Sequence, residues 1–159
     1  MILLDGKKVR DEIAGALRTK IRAFSRKPRL VIIQVGDNEE SATYIEQKKR
    51  FGESVGATVE HAALPADVSE SRVLAAIEQF NKDNNVHGII VQMPLPQTFN
   101  ADQILDAIAP QKDVDGLGSA SVKALWENKT DGYMPATTKG ILSLLYITAF
   151  PYRASGWWW

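Results

Sequence analysis

The stretch Leu30-Val31-Ile32-Ile33-Gln34-Val35 decides the fold, because it is apolar on both faces of a strand. Strands of this kind lie inside parallel sheets that helices cover on each side. Two further strand-like segments, 58–63 and 87–92, alternate with helical patterns along the chain. The sequence therefore predicts an α/β fold, a three-layer α/β/α domain with a short, mainly parallel sheet in which 30–35 is the central strand.

The segments between the strands have helical periodicity. Ahead of the first strand, four apolar residues recur every fourth position as one stripe of an amphipathic helix: Val9, Ile13, Leu17 and Ile21. A second helix is predicted over 41–55, with Gly56 ending it. Ser69 is the predicted cap of a third helix. Shorter helices are predicted near 101–108, 121–126 and 138–146.

Composition excludes several classes of function. The 159 residues are enough for one domain, and 19 Lys plus Arg balance 19 Asp plus Glu, so neither nucleic acid nor a membrane surface is an expected partner. The chain has no cysteine and two histidines, so we expect no metal site. It has no apolar run of membrane-spanning length, and we expect a cytoplasmic protein.

Lys48 is the most informative single residue. At about 100° per residue, Tyr44, Lys48, Phe51 and Val55 fall on one helical stripe about 60° wide, so a lysine stands within an apolar face. One interpretation is a lysine at the helix edge whose amine reaches solvent. The other is an amine held in a partly dry cleft for proton transfer, with the phenol and ring of Tyr44 beside it.

Two loops also carry candidate residues. Gln92 follows a buried strand, at the sheet edge where ligands bind in open α/β folds, although such a residue is also an ordinary strand terminus. The run Lys112-Asp113-Val114-Asp115-Gly116 is typical of a solvated turn or a weak cation site. A carboxylate there could equally accept hydrogen bonds from the adjacent N–H groups of a pterin-like ring.

The order and spacing of these motifs resemble one family. The motifs are Asp5-Gly6-Lys7, Val35-Gly36-Asp37-Asn38, Ser41-x-x-Tyr44-x-x-x-Lys48, Val91-Gln92-Met93-Pro94-Leu95-Pro96 and Lys112-Asp113-Val114-Asp115-Gly116. Together they resemble the bifunctional methylenetetrahydrofolate dehydrogenase/methenyltetrahydrofolate cyclohydrolase family over about residues 1–145. The resemblance implies one-carbon tetrahydrofolate interconversion, a folate substrate and NADP or NAD as cofactor.

The resemblance also implies a role for each matched residue. Lys48 corresponds to the catalytic lysine, which assists proton transfer and attack of water on the methenyl bridge. Gln92 corresponds to the glutamine that contacts and tunes this lysine. Tyr44 matches the tyrosine that stacks on or orients the folate, and Asp115 matches the aspartate that holds the pterin ring.

The chain departs from the family pattern in its last quarter. Pro135-Ala136-Thr137-Thr138-Lys139-Gly140 stands where the family has Pro-Cys-Thr-Pro-x-Gly, and Gly118 stands where the family often has a polar residue. No G-x-G-x-x-G fingerprint occurs in the sequence. We therefore expect that the family's second, Rossmann domain is absent and that no residue of this chain binds the nicotinamide cofactor.

The final segment, 146–159, ends in three tryptophans and falls outside the resemblance. It is interpreted either as a frameshifted tail or as a native aromatic tail that docks on the domain or on a partner. Three functions remain open. The first is an enzyme of one-carbon folate metabolism, or its isolated catalytic domain, with cyclohydrolase activity and, by lineage, dehydrogenase activity. The others are a truncated folate-binding relic with little or no turnover and an interaction module that uses the tail. Uncovered apolar surface predicts a homo-oligomer or other self-association.

Overall fold

The protein, described by a computed structural model for residues 3–127, 129 and 133–148, contains the predicted parallel sheet. Its strands are β1 (Arg29–Val35), β2 (Thr58–Leu64) and β3 (Gly88–Val91). β1 pairs in parallel with β2 on one side and with β3 on the other, so the strand order is β2-β1-β3. The predictions of a parallel sheet and of a central, buried β1 are confirmed.

Six α-helices surround or follow the sheet in the described residues. They are α1 (Gly6–Arg22), α2 (Glu39–Val55), α3 (Glu70–Lys82), α4 (Ala101–Asp106), α5 (Ser119–Trp126) and α6 (Ala136–Ile147), with a 3-10 turn over Pro110–Lys112. The helix predicted over 41–55 starts at Glu39, because the Asn38 side chain accepts from the backbone N–H of Ser41 at 2.9 Å and caps the helix.

Two hydrophobic clusters, one on each face of the sheet, make the three layers. On one face, Val31, Ile33 and Val35 pack with Val73 and Ile77 of α3. On the other face the buried members of the cluster are Ile32, Ile45 of α2, Val59 and Ile90. Successive side chains of a strand point to opposite faces, so the apolar residues of β1 contribute to both clusters.

The apolar stripe predicted on α1 is only partly correct. Val9 and Ala14 are the buried residues of this helix, whereas Ile13 is 37% exposed. Every fourth residue advances by about 40° around a helix, so a stripe of period four drifts out of one contact face. The helix packs on α2 and α6 and leaves part of the predicted stripe exposed.

The carboxyl ends of the strands lie at one edge of the sheet. There β1 leads into α2 through Gly36, whose φ of 76° favours glycine, and β3 leads into Gln92 and the cis Met93–Pro94 bond. The tryptophans and the rest of 149–159 lie outside the described residues, so the interpretation of that tail stays a prediction. Within the described parts of the chain, no helix has the length and apolar character needed to cross a bilayer.

Candidate functional site

Lys48 projects from α2 toward the end of β3. Its Nζ donates a hydrogen bond to Oε1 of Gln92 at 3.1 Å, and the lysine is half-buried. The helix is seated on the sheet by Ile45, which is only 2% exposed and lies one turn before Lys48. The amine is therefore held by a specific partner at the carboxyl edge of the sheet, 44 residues away in sequence.

Gln92 has one defined amide orientation. Its Nε2 donates to the backbone carbonyl of Met93 at 2.9 Å, which leaves Oε1 directed to Lys48. Ser41, buried in the first turn of α2, makes a second link to the same loop, because its Oγ donates to the Met93 carbonyl at 3.4 Å. These contacts join α2 to the residues that follow β3. The sequence motif contained Ser41, but nothing in the pattern assigned it this contact.

Tyr44 lies one helical turn before Lys48 and is 59% exposed. Its ring is therefore accessible to a ligand and is not part of the core. An open groove of about 800 Å³ runs between α1 and α2, and Lys48 and Phe51 form part of its wall. The groove has space for an organic molecule next to the amine, whereas Tyr44 and Gln92 are not among the residues that line it.

The nearest carboxylate on α2 is engaged elsewhere. Arg50 donates to Glu46 at 2.8 Å, and this hydrogen bond lowers the pKa of the Glu46 carboxyl. Lys49 also lies near Glu46, at 4.0 Å. The ion pairs described for this helix therefore involve its other face and leave Lys48 to its carboxamide partner.

The two carboxylates of the acidic loop have different surroundings. Asp113 is 2% exposed and accepts from the backbone N–H groups of Gly116 and Gly118, each at 3.0 Å, and from Ser121 Oγ at 2.7 Å. Asp115 is half-buried, and among the described contacts it bonds through its backbone carbonyl, which accepts from Ala136. The loop runs beside β3 from the Ile89–Asp113 bridge onward, toward the edge that carries Gln92. Asp113 shapes the loop, whereas the contacts of the described residues include no hydrogen bond to the Asp115 carboxylate.

Lys112 anchors the start of this loop. Its Nζ donates to three backbone carbonyls at the end of α3, those of Phe80 at 3.0 Å, Asn81 at 2.7 Å and Asp83 at 2.8 Å. The sequence analysis missed this role, since the acceptors are 29 to 32 residues earlier in the chain. A solvated turn was the simpler expectation, because Lys112 stands in a run with two aspartates.

A dinucleotide does not fit the residues that follow β1. Pyrophosphate binding needs a glycine-rich turn and free N–H groups at a helix N-terminus. Here the Asn38 side chain occupies the N–H of Ser41, and Glu39 and Glu40 bring negative charge to the first turn of α2. Within the described residues, no group of three His, Asp or Glu side chains is placed to hold a metal ion.

These features define an α/β domain with a lysine–carboxamide pair at the carboxyl edge of a parallel sheet. The sequence profile of the tetrahydrofolate dehydrogenase/cyclohydrolase catalytic domain matches residues 4–115. The chain belongs to this family, as the motifs indicated.

Curated relatives and solved structures agree with this membership. The bifunctional protein FolD of Chlamydia trachomatis serovar D is 39% identical over 143 residues, which are 90% of this chain and 50% of that protein. The FolD protein of Listeria innocua is 36% identical over 149 residues, or 92% of this chain and 52% of that protein. The crystal structure of the Campylobacter jejuni FolD enzyme has a TM-score of 0.88 at 34% identity and covers 92% of this chain and 53% of that one. The chain spans about half the length of these relatives.

Proposed function

We propose that this chain is a folate-binding catalytic domain and that it hydrolyses the methenyl bridge of methenyltetrahydrofolate. The observation that carries the proposal is the 3.1 Å hydrogen bond between Lys48 Nζ and Gln92 Oε1 at the carboxyl edge of the sheet. Family membership supports the substrate class, because the matched profile is that of a tetrahydrofolate dehydrogenase/cyclohydrolase catalytic domain. We assign residues 1–145 to this domain and 146–159 to a tail, a boundary that falls inside α6 because that helix continues to Ile147.

The proposed reaction uses water and an amine. The water oxygen bonds to the bridge carbon of the cationic methenyl group, and the neutral amine of Lys48 accepts a proton from that water. The hydroxyl intermediate then gives up its remaining hydrogen as the carbonyl forms. The carbon–nitrogen bond to one ring nitrogen breaks, and that nitrogen leaves as N–H. The products are a formyl group on the other nitrogen and one released proton.

The other site residues orient the reactants in this proposal. Gln92 fixes the amine through Oε1, the exposed ring of Tyr44 packs on the folate, and the carboxylate of Asp115 accepts from pterin N–H groups. Relatives of this chain use a nicotinamide cofactor: the Trypanosoma brucei enzyme is described as complexed with NADP and an inhibitor. We assign NADP- or NAD-dependent dehydrogenase activity to the lineage of this chain. The residues that follow β1 do not fit a dinucleotide, so they supply no hydride step.

Substitution of Lys48 tests the proposal. Lys48→Met keeps the length and apolar stem of the side chain but removes proton transfer, so hydrolysis should fall by about 10²–10⁴-fold while folate binding is retained. Lys48→Arg should fail similarly, because a guanidinium stays protonated and cannot accept a proton. Turnover is followed by the absorbance of methenyltetrahydrofolate and binding by calorimetry.

Lys49→Met is the matched control, since Lys49 lies beside Glu46 and does not contact Gln92 in the described structure. Its turnover should equal that of the unmodified protein. Equal activity of Lys48→Met and the unmodified protein would show that the lysine assignment is wrong. An unmodified protein that binds folate without exceeding the buffer rate would instead establish the second candidate, a non-catalytic folate-binding domain.

A further inference from the structure

Four polar side chains share one face of the structure at the carboxyl edge of the sheet. Val59, Ile32 and Ile90 belong to the cluster under α2, one from each strand. The residues two positions farther along, which point to the same face, are His61, Gln34 and Gln92. Lys48 reaches this row from α2. The sheet face that contacts α2 therefore changes from apolar to polar in all three strands. Gln34 and Gln92 lie at the same level, and the change comes one pair earlier in β2, where His61 pairs with Ile32.

Two hydrogen bonds join these four side chains into two pairs, and no described hydrogen bond joins one pair to the other. His61 Nε2 is 2.8 Å from Gln34 Oε1, and Lys48 Nζ is 3.1 Å from Gln92 Oε1. Gln34 is 4% exposed, and its Nε2 is buried without a hydrogen-bond partner among the described residues. A buried amide N–H normally has an acceptor, because leaving it unpaired is costly.

The sheet register makes Gln92 a candidate acceptor for this amide. Ile33 pairs with Val91, and the N–H of Gln92 donates to the Ile33 carbonyl at 2.8 Å, so Gln34 and Gln92 are the next neighbours across the two strands. Adjacent strands are about 4.8 Å apart, which is within reach of two glutamine side chains on the same face. Gln92 Oε1 has two acceptor positions, and Lys48 uses one of them.

We propose that Gln34 is a positioning residue, which donates from Nε2 to Oε1 of Gln92 and completes a hydrogen-bonded row from His61 to Lys48. A carboxamide oxygen only accepts, so His61 Nε2 carries the hydrogen in its contact with Gln34. With donors on both acceptor positions and Nε2 held by Met93, Gln92 has a single orientation toward the lysine. An effect of Gln34 on turnover rests on the proposed function of Lys48. The hydrogen-bonded row does not depend on that function.

Side-chain NMR tests the row without any activity. His61→Ala should shift the side-chain amide resonances of both Gln34 and Gln92, because removing one end of the row changes each bond along it. His87→Ala is the matched control. His87 lies at the opposite end of the sheet, where its Nδ1 accepts from the N–H of Arg29 at 3.1 Å, and its loss should leave both glutamine resonances in place. Gln92 resonances that do not respond to His61→Ala or to Gln34→Leu would overturn the proposal.

Kinetics of Gln34→Leu test the positioning role. Leucine fills the buried site but removes the Gln34 amide and its hydrogen bonds, so the fold should be retained with only a small change in the unfolding midpoint. The turnover number should fall by about 10- to 100-fold with little change in KM, because the amine loses its fixed geometry. A stable variant with unchanged turnover would refute a positioning role. If the unmodified protein has no turnover, the proposed function fails, while the NMR experiment still decides whether the row exists.

Discussion

At the scale of single residues, Asp113 and Asp115 show how position separates two identical side chains. Asp113 is enclosed by donors from its own loop, the N–H groups of Gly116 and Gly118 and the hydroxyl of Ser121. Asp115 is half-buried and, among the residues that the structure describes, has no such enclosure. Composition alone cannot assign different roles to the two residues, because both stand in one short acidic run. The family resemblance pointed to Asp115, and the contacts of Asp113 explain why the first carboxylate is unavailable to a ligand.

Asp113→Asn should destabilise the fold. The asparagine has the same shape but turns an NH₂ group toward donors that already fill the site, so buried N–H and O–H groups lose their acceptor. We expect the free energy of unfolding in urea to fall by about 1–3 kcal/mol.

Asp115→Asn is the matched control for this change. It should alter the free energy of unfolding by less than about 0.5 kcal/mol, because no described hydrogen bond of the fold depends on that carboxylate. It should weaken folate binding instead. A large stability loss in Asp115→Asn together with a neutral Asp113→Asn would reverse the two assignments.

At the scale of elements, α2 makes the contacts that position the candidate site. The Asn38 cap sets where the helix begins, and Ile45 seats it on the sheet. Helical periodicity is a local property, so the stripe containing Tyr44 and Lys48 could be recognised from sequence alone. The contact with Gln92 could not, since 44 residues separate the partners and only the parallel register of the sheet brings them together. The same limit hid the bonds of Lys112 to the end of α3.

Gly52 allows α2 to approach β2 closely. A Cβ built at Gly52 would lie 2.4 Å from Cγ2 of Val59, so Gly52→Ala requires either a new Val59 rotamer or a wider separation of α2 and β2. We expect a loss of about 1–3 kcal/mol in the free energy of unfolding. Any cyclohydrolase turnover should fall as well, because Lys48 lies one turn away on the same helix.

Gly15→Ala in α1 is the control for helix propensity. A Cβ at Gly15 meets nothing within 4 Å, so this substitution should stabilise the protein by about 0.5–1 kcal/mol. Thermal unfolding of the two variants should therefore shift in opposite directions. A Gly52→Ala protein as stable as the Gly15→Ala protein would contradict the close approach of α2 to β2.

At the scale of the whole molecule, the apolar residues are unevenly covered. The sheet is enclosed on both faces, and this part of the architecture followed from the apolar run in β1. The final helix differs, because none of the residues of α6 is buried although its sequence is largely apolar. Its exposed side chains include Ile141 at 55% and Tyr146 at 85%, and Trp126 of α5 is 75% exposed. Periodicity identified these helices, but it could not show how much of each face would be covered.

Exposed apolar surface of this kind predicts that copies of the chain associate through α6. Soluble monomers rarely carry large contiguous apolar patches, because contact with water opposes them. Sedimentation velocity should show a weight-average mass that rises with protein concentration. Ile141→Glu should reduce this association, since a charge placed in an apolar contact loses its hydration. Phe24→Glu is the control: Phe24 is 58% exposed and follows the end of α1, so its substitution should leave the concentration dependence unchanged. A monomer at every concentration, or equal effects of the two substitutions, would exclude association through this helix.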